Sequence, residues 1–182
     1  MCIRDREKVD IFLGDERCVD PKSELSNSQM LKNSLLTKYG SKAFFYEIFN
    51  DKKVDDNISK NLLISTLNEK CNSNPPSFDL TLLGLGDDGH TASLFPYQKN
   101  NNADEFVIFN EGKGLKRISL TPKVLSASSK IIFLVSGASK QLALKRLLDK
   151  NESPERTPSK LIKSSDQISI FCDEESSKQL SI

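Results

Sequence analysis

The sequence predicts an α/β protein in which a mostly parallel sheet is covered by helices on both faces. Short β-rich apolar runs alternate with segments whose apolar residues recur at helical spacing. Glycines and charged residues also follow directly after the apolar runs. In such sheets, ligands bind beyond the C-terminal ends of the strands. The length of 182 residues fits one domain with its own core.

Strand and helix signals alternate through the first half of the chain. Apolar runs predict strands over 9–13, 44–49 and 78–84. Helical spacing predicts a first helix capped by Ser26 or Asn27 and a second helix over 54–71. The strand over 78–84 is the clearest central strand, because it runs from a Pro-Pro break directly into a glycine-rich turn.

The second half opens with a polar, glycine- and asparagine-containing stretch over 97–116. This composition predicts a surface excursion with a short strand at 106–109. The remaining predicted elements are strands over 117–120, 130–136 and 168–172, and helices after Pro122, over 139–149 and over 174–180.

Charge and cysteine content exclude several classes of function. The 26 Lys and Arg residues against 25 Asp and Glu give a net charge of +1, so no global field attracts nucleic acid or an anionic membrane. No apolar run approaches the roughly 20 residues that span a bilayer, and the start does not resemble a signal peptide, so a cytoplasmic location is expected. The four cysteines are scattered, which predicts neither disulfides nor a zinc site.

The segment Gly-Asp-Asp-Gly-His after the strand over 78–84 contains the most reactive group of side chains. Its glycines allow positive φ angles, while Asp87, Asp88 and His90 place acid and base groups on one turn. A short helix predicted after the turn would leave backbone amides free to hold an oxyanion. We predict that His90, the one histidine, is a functional base rather than a buried histidine bonded to backbone.

The carboxylates beside His90 leave two interpretations open. Asp87 or Asp88 either orients the imidazole or a water molecule, or caps the helix that follows. The glycines of this segment also match the letters of the G-x-G-x-x-G dinucleotide fingerprint. We reject a dinucleotide site, because the Asp-Asp pair would repel a pyrophosphate and the expected ribose-binding carboxylate context is absent.

Two further groups of polar residues follow predicted strands. Asp15-Glu16-Arg17 comes after the strand over 9–13, which predicts a role in the ligand crevice rather than a solvated turn. The residues from Gly137 to Lys140 either bind a phosphate through backbone amides and the lysine, or form an ordinary helix start capped by Ser139. Arg117 alone is ambiguous.

Taken together, these segments resemble the ordered motifs of the 6-phosphogluconolactonase family. The match runs in order from about Val9 to the C-terminus, and its D-G-H-T-A-S-L-F-P segment is highly specific. The motifs are Asp15-Glu16-Arg17-Cys18-Val19, Asp88-Gly89-His90-Thr91-Ala92-Ser93-Leu94-Phe95-Pro96, Arg117-Ile118-Ser119-Leu120-Thr121 and Phe133-Leu134-Val135-Ser136-Gly137 with Lys140.

The resemblance implies a Rossmann-like fold shared with sugar-phosphate isomerases and deaminases. It implies hydrolysis of 6-phospho-D-glucono-1,5-lactone to 6-phosphogluconate in the oxidative pentose phosphate pathway, without a metal or organic cofactor. By position, His90 corresponds to the general base and Asp88 to its acidic neighbour. The expected residues of the substrate and phosphate site are Arg17, Arg117, Lys140, Asp15, Gly86 and Gly89.

The resemblance also implies that an earlier unit is missing. Family members carry an upstream strand and helix with a Gly-Gly-Ser/Thr loop that binds phosphate, and no such loop precedes Lys8. We therefore expect a single domain over 1–182 that lacks its N-terminal segment, with a disordered or non-native leader at 1–6. Such a domain would leave a parallel strand edge exposed. Its expected partner is a small phosphorylated lactone, with no nucleic acid or membrane, and its expected state is a monomer or weak homo-oligomer.

Two alternative functions remain open. A sugar-phosphate isomerase or deaminase of the same fold would use the analogous histidine, but that branch typically carries Gly-His-Ile-Ala-Phe-Asn-Glu, whereas Thr91-Ala92-Ser93 follow His90 here. A non-catalytic fragment that binds sugar phosphates is the second alternative.

Overall fold

Strands and helices alternate along the chain, as the sequence patterns predict. The computed structural model describes residues 6–37, 42–49, 55–100, 104–164 and 168–180. The described strands are β1 (Asp10–Phe12), β2 (Asp15–Arg17), β3 (Phe44–Tyr46), β4 (Thr81–Gly84), β5 (Val107–Gly112), β6 (Leu115–Leu120), β7 (Ile131–Val135) and β8 (Ile168–Cys172). The described α-helices are α1 (Asn27–Leu31), α2 (Asp56–Lys70), α3 (Pro122–Ser126), α4 (Gln141–Leu148) and α5 (Glu174–Ser177).

The described strands form two parallel sheets and one antiparallel sheet. β1 pairs with β3, and β4, β7 and β8 pair in that order, all in parallel. β2, β6 and β5 form the antiparallel sheet. The α/β class with parallel sheets and helices is thus confirmed, while the antiparallel sheet adds a feature that the alternation of elements did not predict.

A β-hairpin replaces part of the predicted polar excursion over 97–116. β5 and β6 are joined at Lys113 and Gly114, whose φ angles of 53° and 75° match the tight hairpin turn that suits the twist of antiparallel strands. Asp15-Glu16-Arg17 forms β2, a strand that the apolar pattern did not predict, and pairs with β6. The strand was missed because this pairing joins segments distant in sequence.

Several helices differ in extent from their predictions. Ser26 caps α1 by accepting a hydrogen bond from Gln29 N, but after α1 the chain continues in wider π-type turns over Lys32–Leu36. The short helix predicted after the glycine turn is wrong, since residues 85–100 form turns and an isolated bridge. The predicted leader at 1–6 and the predicted start of the second helix at Val54 lie largely outside the described residues.

One apolar core joins the sheets and helices. It combines inward side chains of β4, β6 and β7 with those of α2, α3 and α4. Its largest fully buried apolar members include Leu67, Leu94, Ile118, Leu125, Ile131, Phe133 and Leu144. Full burial of one such side chain stabilises the fold by about 1.5–3 kcal/mol, so this cluster holds the carboxyl ends of β4 and β7 in place.

One face of the β4–β7–β8 sheet carries exposed apolar side chains. Leu134 and Phe171 lie in register on neighbouring strands and are 51% and 62% exposed, and Leu82 on β4 is 57% exposed. Parallel sheets are normally covered on both faces, so this open face is unusual. Among the described residues, no helix has the length and apolarity that a membrane crossing requires.

Candidate active site

The glycine turn after β4 is closed by its own backbone hydrogen bonds. Gly86 N donates to His90 O at 2.7 Å, and Gly89 N donates to Gly86 O at 3.0 Å. Gly89 has a φ of 93°, which a residue with a Cβ rarely adopts. A Cβ on Gly86 would lie 2.0 Å from His90 Nδ1, so the imidazole occupies the space that this glycine leaves.

His90 and Asp88 form an imidazole–carboxylate pair. His90 Nδ1 lies 2.5 Å from Asp88 Oδ1, and His90 N donates to the same oxygen at 3.0 Å. Burial by itself raises the pKa of Asp88, but these two hydrogen bonds outweigh it and leave the pKa below its usual range. The ionised carboxylate only accepts hydrogen bonds, so Nδ1 carries the proton and Nε2 of a neutral imidazole has a free lone pair.

Asp87 has different surroundings from Asp88. Its carboxylate is exposed and lies 3.4 Å from Lys113 Nζ at the hairpin turn. Lys113 lowers the pKa of Asp87, and the charge of Lys140 acts more weakly in the same direction. Because no helix follows the turn, neither carboxylate caps one.

The metal-binding capacity of the described residues centres on this same turn. Asp87, Asp88 and His90 bring three possible ligand atoms within 4.8 Å of one another. Asp88 and His90 are already hydrogen-bonded to each other, and Asp87 is paired with Lys113. The contacts present are therefore those of an acid–base pair beside an exposed ion pair.

A partly buried carboxylate lies at the start of β2. Asp15 accepts a hydrogen bond from Ser93 Oγ at 2.5 Å and one from Asn27 Nδ2 at 3.4 Å, and Arg117 Nη1 lies 3.9 Å away. Burial raises the pKa of Asp15, although the hydroxyl and the nearby arginines act in the opposite direction. Asp15 is thus held in place by neighbouring side chains and stays partly exposed.

Two arginines face each other across β2 and β6. Arg17 and Arg117 are register partners, an arrangement in which like charges repel. Burial and the charge of Arg17 both lower the pKa of Arg117, which is 7% exposed. Within the described part of the chain, Arg17 Nε is buried and has no hydrogen-bond partner, whereas Arg17 Nη1 donates to Leu25 O. The pair offers two guanidinium groups to an anion.

Glu16 organises the loop beside Arg17, a role that the sequence analysis did not assign. The Glu16 side chain is 1% exposed, and its carboxylate accepts hydrogen bonds from four donors. These donors are Arg17 N, Ser26 Oγ, Asn27 N and Ser28 N, at 2.7–3.1 Å. The downstream Ser26-Asn27 pair was the sequence signal for this contact, because such residues mark a helix start whose amides need an acceptor.

The loop after β7 is held by Asp173, which follows β8. Asp173 accepts hydrogen bonds from Gly137 N at 2.9 Å and from Ser136 Oγ at 2.6 Å. The hydroxyl of Ser136, followed by the other donors, holds the pKa of Asp173 well below its usual range. The alternative of a helix start capped by Ser139 is not formed, since Gly137 and Lys140 hold the two cap positions, and the Gly137 amide is occupied by a carboxylate. This contact removes the Gly137 amide from the groups of the loop that could bind an anion.

Phe95 connects the glycine turn to the antiparallel sheet. Its ring centroid lies 4.8 Å from that of His90, and the Arg117 guanidinium lies 5.3 Å from the same ring. The structure therefore brings His90, Asp88 and the Arg117–Asp15 group together.

Comparison with known proteins places this site in a family. The chain matches the family described as glucosamine-6-phosphate isomerases/6-phosphogluconolactonase over residues 3–170. A 6-phosphogluconolactonase of Synechocystis sp. is 31% identical over 179 residues, which represent 96% of this chain and 74% of the relative.

Solved structures share the fold. The crystal structure of devB protein superposes with a TM-score of 0.81 at 28% identity, over 93% of this chain and 73% of that one. The 6-phosphogluconolactonase of Thermotoga maritima superposes with a TM-score of 0.77 at 24% identity, over 91% and 73% of the two chains. The family match and the shared fold lead to the conclusion that this chain belongs to the glucosamine-6-phosphate isomerase/6-phosphogluconolactonase family.

Proposed function

We propose that the chain hydrolyses 6-phospho-D-glucono-1,5-lactone to 6-phosphogluconate, a step of the oxidative pentose phosphate pathway. The observation that carries the proposal is the His90–Asp88 pair, which leaves one imidazole nitrogen free as a base. The family of the chain and the 6-phosphogluconolactonase name of its Synechocystis relative support this substrate.

The proposed reaction needs one water molecule and one base. His90 Nε2 takes a proton from water while the water oxygen attacks the lactone carbonyl carbon. The ring C–O bond then breaks, and the imidazolium returns the proton to the departing ring oxygen, which becomes a hydroxyl group. Asp88 stabilises the transient imidazolium and keeps the ring in one tautomer.

A covalent nucleophile is unnecessary for this substrate, because a strained δ-lactone already hydrolyses spontaneously. Ser93 lies near the turn, but its hydroxyl donates to Asp15 rather than to His90. The sequence around it also lacks the Gly-x-Ser-x-Gly elbow of serine hydrolases. We therefore assign Ser93 to the support of Asp15.

Three cations form the proposed anion site. Arg17, Arg117 and Lys140 would hold the phosphate and the sugar end, so that binding energy away from the reacting carbon positions the carbonyl. The amides of Gly86 and Gly89 are used inside the turn, so we place the oxyanion against a cationic side chain. The glycines then contribute by shaping the turn.

The substrate is small and the net charge is +1, so we propose a cytoplasmic enzyme that acts as a monomer or weak homo-oligomer without a nucleic-acid or membrane partner. Sedimentation over a range of protein concentrations tests the oligomeric state.

The activity is tested by measuring acid release from the lactone above the spontaneous rate. The wild-type chain should accelerate hydrolysis, and a His90→Gln variant should return the rate to the spontaneous value. Ammonia release from glucosamine 6-phosphate would instead identify a deaminase. Binding of 6-phosphogluconate without turnover of the lactone would identify a sugar-phosphate-binding protein.

A further inference from the structure

We propose that Phe95 is a positioning residue for His90. The position of the Phe95 ring in turn requires that residue 112 is a glycine, which has no side chain. The inference rests on the proposed function in treating His90 as the base. Its geometric part, the packing of the imidazole by Phe95, can be tested without any assay of activity.

The hydrogen bond to Asp88 and the space left by Gly86 hold one edge of the His90 imidazole. Phe95 contacts the ring as well, with ring centroids 4.8 Å apart and an interplanar angle of 37°. Phe95 is 5% exposed, so packing holds its own ring in place, and an aromatic pair of this kind adds a preference for one orientation.

Gly112 provides the space that the Phe95 ring occupies. A Cβ on Gly112 would lie 2.2 Å from Phe95 Cε2 and 2.3 Å from Phe95 Cζ, which is closer than real contacts allow. The φ of Gly112 is not in the left-handed region, so its backbone conformation does not itself require glycine. The requirement is therefore steric, and it comes from Phe95.

Arg117 completes the contact between the hairpin and the glycine turn. Its guanidinium lies 5.3 Å from the Phe95 ring centroid, a cation–π distance, and its Nε donates to Gly112 O at 3.2 Å. Any displacement of the ring by a side chain at position 112 would therefore act on His90 on one side of the contact and on Arg117 on the other.

The experiment uses the fact that His90 is the only histidine. Ring-labelled histidine gives one set of imidazole signals in NMR, whose nitrogen shifts report the tautomer and whose C–H shifts report the neighbouring aromatic ring. In the wild-type chain we expect a single Nδ1–H tautomer with ring-current-shifted protons. Phe95→Leu should remove the ring-current shift and mix the tautomers, while circular dichroism verifies folding.

Gly112→Ala is the second variant, with Gly84→Ala as its matched control. A Cβ on Gly84 meets no atom within 4 Å, so this control should leave the His90 signals and the lactonase rate unchanged. Gly112→Ala should shift the His90 signals and lower kcat by about 10- to 100-fold with a smaller change in KM. In the Phe95→Leu background the same Gly112→Ala change should have a smaller additional effect, because leucine lacks the Cε2 and Cζ atoms that the new Cβ would meet first.

The outcomes separate the inference from the proposed function. His90 signals that are identical in the wild type, Phe95→Leu and Gly112→Ala would overturn the inference even if the chain is an active lactonase. The expected NMR shifts in a chain without lactonase activity would support the packing role while contradicting the function. Equal losses of kcat from Gly112→Ala in both backgrounds would also overturn the inference, because they would show that the glycine acts independently of Phe95.

Discussion

Adjacent residues with the same side chain have different roles in the glycine turn. Asp88 is partly buried and accepts two hydrogen bonds from His90, whereas Asp87 is exposed and faces Lys113. Both carboxyl pKa values lie below the usual range, but for different reasons: hydrogen bonds from His90 outweigh burial at Asp88, and the charge of Lys113 acts at Asp87. Of the two carboxylates, Asp88 is therefore the one in contact with the imidazole of His90.

This difference predicts unequal effects of two isosteric substitutions. Asp88→Asn should lower the lactonase kcat by about 10²-fold or more, because the amide no longer stabilises the imidazolium. Asp87→Asn, the matched control, should leave kcat within about 2-fold, since a surface ion pair contributes little. The measurement is kcat near neutral pH. Equal losses in the two variants would contradict the assignment of Asp88.

Substitution of His90 distinguishes a catalytic role of this side chain from a structural one. His90→Ala should abolish lactonase activity with little loss of thermal stability if the side chain acts as a base. The check is a melting temperature measured beside the rate. A strongly lowered melting temperature would identify His90 as a structural histidine.

Lys140 is expected to act on binding rather than on the chemical step. Lys140→Ala should raise KM for the phosphorylated lactone and leave kcat nearly unchanged, because it removes a contact made equally in the ground and transition states. Lys145→Ala, an exposed lysine on α4, is the matched control. If KM is unchanged in Lys140→Ala, the lysine does not contact the phosphate.

At the scale of elements, the site is built from loops that other segments hold in place. Glu16 holds the start of α1, and Asp173 holds the loop after β7. A third contact of this kind lies behind the glycine turn, where Ser159 N donates to Gly89 O at 3.1 Å. Thr157 packs against Gly89, and its hydroxyl donates to the buried Glu152.

Glu152, which holds Thr157 behind the glycine turn, predicts that the free energy of unfolding depends on pH. The hydrogen bond from Arg156, with that from Thr157, lowers the pKa of Glu152 from 4.5 to about 2. A carboxyl whose folded pKa is depressed stabilises the fold above its unfolded pKa, and this contribution is lost as the pH falls from 4.5 toward about 2. Glu152→Gln should therefore be less stable than the wild type at pH 6, with a difference that shrinks on acidification.

Urea unfolding of both chains between about pH 6 and pH 3 measures this difference. Glu155→Gln, an exposed neighbour, is the matched control and should follow the wild-type curve. A stability difference between Glu152→Gln and the wild type that stays constant across this pH range would contradict the assignment.

At the scale of the whole molecule, the apolar outer face of the β4–β7–β8 sheet is the main departure from a covered α/β fold. Its side chains Leu82, Leu134 and Phe171 are more than half exposed. Contiguous apolar surface of this kind binds other apolar surfaces. The sheet nevertheless keeps its inward face in the core, so the outer face is not needed to hold the strands.

We expect the exposed face to bind apolar dyes and to cause self-association. Polar substitutions on it should reduce both without destabilising the fold. Leu134→Ser combined with Phe171→Ser should reduce the fluorescence of a bound apolar dye and the concentration-dependent light scattering of the chain. The melting temperature should change little. Leu148→Ser, at the end of α4, is the control for one exposed leucine elsewhere. Unchanged dye binding in the double variant would show that this face is not the apolar surface in question.

The sequence by itself determined the features that depend on near neighbours. Alternating strand and helix patterns predicted the α/β class, and the ordered motifs predicted the family, which the family match confirms. The turn that carries His90 was also predicted, because its glycines, acids and imidazole are adjacent in the chain. The functional roles of the site residues remain predictions.

Only the tertiary structure decided how distant segments meet. The register of β2 on β6 places Arg17 opposite Arg117, and the Asp173 carboxylate occupies the Gly137 amide that the sequence had left free for phosphate. The need for glycine at position 112 likewise follows only from its contact with the Phe95 ring. Periodicity and turn chemistry report interactions over a few residues, whereas these contacts depend on packing between elements, which local patterns do not encode.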